Sequence, residues 1–194
     1  MAPKSICVYC ASSRQADPAY AAAAYELGAI IARAGAELVY GGGLAGSMGR
    51  LAQGALDAGG RVIGVIPRFM EEMEVFNHGV SELIVVDDMH ARKRRMLDGS
   101  DAVVALPGGA GTLEELFEAI SWKRLGLYTK PIILVNTLGF FNHCMALLNH
   151  CVEQKFLSER HNAMWTVVED SSAVLPAIAA APQWEESARK WAVL

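Results

Sequence analysis

The chain has 194 residues, 53% of them hydrophobic and 20% charged, enough to bury a full core as one domain without disulfides or metals. A formal net charge of −4 gives no general attraction to nucleic acid, whose binding needs many phosphates neutralised, so no nucleic-acid partner is expected. No apolar run approaches the ~18–20 residues that cross a bilayer, and the start Met1-Ala-Pro-Lys-Ser-Ile-Cys7 lacks a signal core, so a cytoplasmic protein with no membrane partner is expected.

Strand-like and helix-like segments alternate along the chain. Residues 5–11 read as a short apolar strand; Asp17 then caps a helix with Pro18 in its first turn and Gly35 closing it. Residues 37–40 are the next strand and end in Gly41-Gly42-Gly43, followed by a helix over 47–58 and a strand over 61–66. Pro67 stops that strand, and 68–80 reads as an irregular, Met-rich excursion. A strand over 81–86, a helix over 87–98 and a strand over 101–106 follow. The rest reads as a helix over 112–126, a strand over 131–135, a helix over 140–155, a strand over 164–168 and helices over 172–180 and 184–191. The strands are continuously apolar, as burial on both faces requires. The expected fold is α/β: a doubly wound, mostly parallel, Rossmann-like sheet with helices on both faces. It is expected to form a single domain over 1–181 with a helical tail over 182–194.

The four cysteines sit in apolar segments, as reduced core thiols do. Cys7-Val-Tyr-Cys10 matches C-x-x-C, but residues three apart in a strand face opposite sides, so a core role is expected over a redox or zinc site. His143-Cys144 and His150-Cys151 repeat at a spacing of seven, which stacks them on one helix face. Without a third group of ligands nearby, that reads as helix packing, and no metal is expected.

Two glycine loops leave strands. Gly41-Gly-Gly-Leu-Ala-Gly46 fits the dinucleotide fingerprint G-x-G-x-x-G, yet the following strand ends in Val65-Ile-Pro-Arg68 without the acid that would hold ribose hydroxyls. The second, Pro107-Gly-Gly-Ala-Gly-Thr-Leu-Glu-Glu115, follows the apolar run Ala102–Leu106 and is not a Walker A loop, since no Gly-Lys-Ser/Thr follows. Free N–H groups at the start of the helix expected from Thr112 form a ready phosphate site, with the Glu115 carboxylate one turn beyond. Either loop alone could be a tight strand-to-helix turn; together they point to a phosphate or ribose site.

Thr112-Leu-Glu-Glu115 also reads as a capping box, with the hydroxyl on a helix N–H and Glu115 reaching back. The preceding helix argues for more. Met89, Arg92, Lys93 and Met96 fall at i, i+3, i+4 and i+7, a stripe that should face protein. Half-buried cations need an anionic partner, either Glu115 or a bound phosphate. Arg94 and Arg95 turn toward solvent, and the run of four is too short for a nucleic-acid patch.

Pro-Gly-Gly-Ala-Gly-Thr-Leu-Glu-Glu at 107–115 and Met-His-Ala-Arg-Lys at 89–93 resemble the Lonely Guy (LOG) family of cytokinin-activating phosphoribohydrolases. The family patterns P-G-G-x-G-T-x-x-E and M-H-x-R-K are both met, and Tyr9–Ser13 and Val39–Gly43 with Gly46, Met48 and Gly49 look like family segments. The likeness runs from about residue 5 to 180; Ala110 is smaller than its counterpart in many relatives. The resemblance implies hydrolysis of the N-glycosidic bond of N6-modified adenosine 5′-monophosphates to free base and ribose 5-phosphate. It implies Arg92 and Glu115 as the catalytic pair and Gly109 to Thr112 as the phosphate site, with Gly108 and Leu113 on the same loop. Lys93, Glu114 and Ser121 would line the nucleotide site with Gly42 and Gly43 of the first loop, and Glu74 sits where the family carries a base-side glutamate. The partner implied is a small nucleoside 5′-monophosphate; no cofactor is implied, and a homodimer is expected, with Trp122 as a surface candidate that could equally be core.

Breaking a glycosidic bond builds positive charge on the ribose, which a carboxylate at the anomeric carbon stabilises. Arg92 is expected to fix that carboxylate bidentately. Relatives often carry the label lysine decarboxylase, but no lysine here has the companions of a pyridoxal Schiff base, and Lys93 is better explained as an anion contact. Two alternatives stay open: a general AMP or purine-nucleotide nucleosidase, and a non-catalytic carrier of a phosphorylated cofactor. A hydrophobic N6 pocket lined by Met70, Met73 or Phe76 would disfavour the first, and the acid–arginine pair disfavours the second.

Overall fold

The computed structural model describes residues 2–72 and 76–191; Glu74 and Met73 lie outside the described residues. The strands β1 (Ser5–Tyr9), β2 (Glu37–Tyr40), β3 (Val62–Pro67), β4 (Glu82–Val86), β5 (Ala102–Ala105), β6 (Ile132–Val135) and β7 (Thr166–Val168) form one sheet in the order 4-3-2-1-5-6-7. Every neighbouring pair is parallel, and β1 pairs with β2 on one side (Cys7 opposite Val39) and with β5 on the other (Cys7 opposite Val103). The chain winds outward from β1 to β4, then returns to the far side of β1 as β5. That reversal opens a crevice at the carboxyl ends of β1 and β5, where ligands bind in such sheets.

Alternate residues of each strand feed two cores. Ile6, Val8, Leu38, Tyr40 and Val104 pack under helices α1 (Pro18–Arg33), α2 (Gly46–Asp57) and, later in the chain, α7 (Val174–Ala180). Cys7, Tyr9, Val39, Val103 and Ala105 pack under α4 (Met89–Leu97), α5 (Ala110–Arg124) and α6 (Asn142–Glu153). Cys7 and Cys10 therefore belong to opposite cores, as a strand period of two demands. Asp17 caps α1 by accepting from the Ala19 N–H at 2.8 Å, and Gly35 follows the helix with φ +75°.

Five local expectations are corrected. Helix α5 begins at Ala110, not Thr112, with Gly109 as N-cap and no side-chain cap. The Thr112 side chain folds over Gly108, where an added Cβ would lie 2.2 Å from its Oγ1, and Glu115 turns inward instead of reaching back, so no capping box forms. The excursion after β3 opens with a short helix, α3 (Arg68–Glu72), and Phe76 returns to the site by an antiparallel bridge to Gly43. The helix expected over 140–155 starts only at Asn142, after a 3-10 turn over Thr137–Gly139. There the Asn136 side chain accepts from the Phe141 N–H at 2.8 Å and holds the chain back from helical geometry. The tail's helical segment, Glu186–Trp191, is 3-10 rather than α, and Trp184 donates its indole N–H to the Lys123 carbonyl at 2.7 Å. Trp122 is half-buried against the second core. Among the described residues, no helix is long and apolar enough to cross a membrane.

Candidate active site

A cleft of about 570 Å³ opens at the β1–β5 reversal. Its walls come from the segment after β1 (Cys10 to Ser13), the loop after β2 (Gly41, Gly43 to Ala45), the end of β3 (Ile66), α3 (Met70), Phe76, and the start of α5. The lining is apolar at Leu44, Met48, Ile66, Met70, Phe76 and Met89, and polar or charged at Arg92, Thr112, Glu114 and Glu115.

Helix α4 delivers the cations. Asp88 caps it by accepting from the Ala91 N–H at 2.8 Å, and three members of the stripe expected from spacing point inward: Arg92 and Lys93 are each 5% exposed and Met96 is buried, while Met89, in the first turn, is exposed at the cleft and Arg94 and Arg95 face solvent. Arg92 lies across the crevice. Its Nε donates to the Val65 carbonyl and its Nη2 to the Gly41 carbonyl, both at 3.0 Å, and its Nη1 stands 3.5 Å from Glu115 Oε1. The bidentate fork expected between the two side chains is therefore absent. Two faces of the guanidinium are spent on backbone acceptors, and one edge remains for the carboxylate.

Glu115 is buried to the same degree as Arg92. Burial pushes its carboxyl up, Arg92 pulls it back and Glu114 raises it again, leaving it at about 7. A carboxylate poised there is half ionised near neutrality, the state that proton-transfer catalysis favours. Lys93 does not line the cleft; its ammonium pairs with Glu114 and, at 3.1 Å, with Glu118. Burial draws its pKa down, but hydrogen bonds to these two glutamates outweigh that and hold it above the ordinary lysine value.

The start of α5 supplies the anion site. Residues Gly109, Ala110 and Gly111 are exposed at the head of the helix, and its first amides meet no capping side chain. An added Cβ at Gly109 or Gly111 would meet nothing within 4 Å. Packing does not require these two glycines; their smallness keeps the helix mouth open to the cleft. Gly42 is different: its φ of +73° and the 2.5 Å approach of an added Cβ to Ile66 Cγ2 give it a backbone role beneath the loop. Gly43 lines the cleft beside Met48. Gly42, Lys93, Gly108, Ala110, Leu113 and Ser121 do not line the cleft, and Ser121 is exposed nearly two turns along α5 from Glu115. The sequence names Gly41 only as part of a glycine loop and Val65 and Ile66 only as a strand end, with no site role for any of the three. Two of them act through backbone carbonyls, which leave no side-chain signature, and the available signal was their position at strand ends.

Among the described residues two lysines are buried, Lys93 and Lys123. A Schiff-base lysine must be free and easily deprotonated. Lys93 is tied by two carboxylates, and Lys123, pushed down to about 8 by burial, donates to the Lys130 carbonyl at 2.8 Å away from the cleft. A family model described as "Possible lysine decarboxylase" matches residues 48–178. The cytokinin riboside 5′-monophosphate phosphoribohydrolase LOG1 of Arabidopsis thaliana is 44% identical over 155 residues, 80% of this chain and 73% of the relative. The cytokinin riboside 5′-monophosphate phosphoribohydrolase of Rhodococcoides fascians is 41% identical over 177 residues, 91% of this chain and 89% of the relative. The molybdenum cofactor carrier protein of Chlamydomonas reinhardtii shares the fold with a TM-score of 0.70 at 26% identity, over 91% of this chain and 96% of that one. The chain belongs to the matched family, the LOG family, together with these phosphoribohydrolases.

Proposed function

We propose that the protein hydrolyses the N-glycosidic bond of N6-modified adenosine 5′-monophosphates, releasing the free cytokinin base and ribose 5-phosphate. The observation that carries this reading is the buried Arg92–Glu115 pair, set beside an uncapped helix mouth in one cleft. The names of the relatives at 44% and 41% identity support the same substrate class.

In this reading the 5′-phosphate docks on the amides of Gly109 to Thr112, with Gly108, Leu113 and Glu114 shaping the loop, Gly43 lining the first loop's side of the cleft and Gly42 supporting that loop from beneath. Remote binding of the phosphate fixes the ribose beside Glu115. As the C–N bond breaks, its electron pair leaves with the base and positive charge grows on the sugar. The Glu115 carboxylate stabilises that charge and takes a proton from the water whose oxygen adds to the anomeric carbon; the departing base nitrogen gains a proton from solvent, and Glu115 gives its own back to solvent, so the products are neutral free base and ribose 5-phosphate. Arg92 holds the carboxylate in place and favours its ionised form. The apolar wall with Met70 and Phe76 receives the base and its N6 substituent. Lys93 supports the proposed nucleotide site by holding Glu114, and Glu74 is proposed for the base side on the family resemblance alone; Ser121 does not line this cleft.

The enzyme is proposed to work in the cytoplasm as a homodimer, without nucleic acid or membrane. Leu125 and Leu127, 45% and 67% exposed at the end of α5, supply apolar surface for the second copy, and sedimentation velocity reads the stoichiometry. The alternatives are a nucleosidase for plain AMP and, from the carrier's shared fold, a non-catalytic holder of a phosphorylated cofactor. Incubation with isopentenyladenosine monophosphate, AMP and the unphosphorylated riboside separates them. Free base and ribose 5-phosphate are expected from the first and nothing from the riboside; faster release from AMP favours the general nucleosidase, and binding without release favours the carrier.

A further inference from the structure

We infer that Gly41 is a positioning residue for the proposed reaction: lacking a side chain, it lets the Arg92 guanidinium seat on the Gly41 carbonyl with one edge turned to Glu115. The inference rests on the hydrolase reading for its role in turnover, but its geometry stands alone. An ideal Cβ on Gly41 would lie 2.0 Å from Arg92 Nη2 and 3.1 Å from its Cζ, so the guanidinium occupies the space that any side chain at position 41 would fill. The same Nη2 donates to the Gly41 carbonyl at 3.0 Å, which makes one residue both the acceptor and the clearance for the arginine.

What stands in the way is decisive. At Gly28 and Gly54 an added Cβ would strike backbone oxygens of the facing helix at 2.1 and 2.0 Å, and at Gly49 the Leu44 carbonyl of the preceding loop at 2.0 Å, so a substitution there would disturb the fold. At Gly41 the obstructed atoms are the far end of a side chain, flanked by Met48 Cε at 3.2 Å. A methyl group there displaces the arginine and leaves the strand in place. The displaced guanidinium loses its seat and moves from the carboxylate it now faces at 3.5 Å.

The groups around Glu115 decide what that displacement does. Arg92 and Lys93 face it from α4, Glu114 and Glu118 from its own helix, the Cys7 thiol and Tyr9 from β1, and the Cys10 thiol from the segment just after it. Lys93 is already engaged by Glu114 and Glu118, so Arg92 is the principal cation that stabilises the ionised form. Moving it away makes the carboxyl harder to ionise.

Gly41→Ala, Arg92→Lys and the double variant of the full chain test this. Glu115 is followed by carbon-13 titration of its carboxyl, thermal unfolding reports the fold, and base release gives kcat and KM. In Gly41→Ala the unfolding transition stays cooperative, the Glu115 midpoint moves up by roughly one pH unit, and kcat falls roughly 10²-fold while KM stays within about threefold. Lysine has no Nη2, so in the Arg92→Lys background the same alanine lowers kcat by less than about twofold. An unmoved Glu115 midpoint, an equal loss in both backgrounds, or an unfolded Gly41→Ala chain overturns the inference. If the wild-type protein releases no base while the Glu115 midpoint still responds to Gly41→Ala, the hydrolase reading fails and the positioning of Arg92 by Gly41 stands.

Discussion

Replacing Glu115 by glutamine is expected to abolish turnover and, above neutral pH, to stabilise the protein. Burial is the main force that raises the carboxyl from 4.5 to about 7. A folded state that holds this proton more tightly than the unfolded chain binds more protons between those values, so this group's contribution to stability falls as pH rises through the window. At about 1.4 kcal/mol per pH unit, the cost of keeping Glu115 ionised in the fold reaches about 3 kcal/mol by pH 8. Glutamine keeps the shape, carries no charge, and leaves Arg92 its bonds to the Val65 and Gly41 carbonyls. The variant should therefore match the wild type near pH 4 and exceed it by about 3 kcal/mol at pH 8, roughly 6–12 °C in Tm for a chain of this size. Urea unfolding of both proteins at several pH values between 4 and 8 measures the difference, and base release measures a loss of roughly 10³-fold or more. A stability difference independent of pH, or a less stable variant at pH 8, would refute the claim that Glu115 is held ionised against its burial.

Arg92→Ala removes the cation from the same pair: the Glu115 titration midpoint should rise above about 7 and turnover should be lost, which carbon-13 titration and product analysis check on one sample. Gly111→Ala places a methyl where nothing lies within 4 Å, in the first turn of α5. Thermal unfolding should show a gain of about 0.5–1 kcal/mol, while steady-state kinetics show a higher KM for the nucleotide with little change in kcat. Lys123→Met tests the opposite linkage. Burial depresses that lysine to about 8, so its cost to stability is fully present below pH 8 and fades as pH rises toward 10.5. After about 1 kcal/mol for the lost bond to the Lys130 carbonyl, a gain of about 2 kcal/mol is expected at pH 7, shrinking by pH 9.5 in denaturant titrations.

The fold was legible because each strand is an unbroken apolar run, and two-sided burial is the reason for such runs. The inward stripe of α4 was legible for a similar reason: Met89, Arg92, Lys93 and Met96 share one face at helical spacing, and charged members of such a stripe must meet partners. The start of α5 was less legible. Thr112 and Glu115 have the spacing of a capping box, but Gly109 takes the N-cap backbone geometry, and the cleft claims both side chains. The buried cations of α4 did point to Glu115 as a partner, but spacing gives no distance, so the single 3.5 Å approach in place of a bidentate fork was not legible. The orientation of Arg92 was not legible at all, since Val65 and Gly41 hold it through main-chain oxygens that any residue possesses.

That last point bears on the choice between hydrolase and carrier. A carrier of a phosphorylated cofactor needs the open mouth of α5, which Gly109 and Gly111 provide without any help from the buried pair. It has no use for a carboxyl raised to about 7 beside the phosphate, where the ionised form would repel the cargo and costs about 3 kcal/mol of stability above neutrality. The molecule nevertheless commits two backbone carbonyls, a side-chain-free position at 41 and the inward face of α4 to hold a guanidinium against that carboxyl. Strain and stability cost of this kind collect where chemistry needs a poised group. In the proposed hydrolysis that chemistry is stabilisation of a cationic sugar, and a wild-type protein that gained stability from Glu115 at pH 8 would leave the arrangement without that reason.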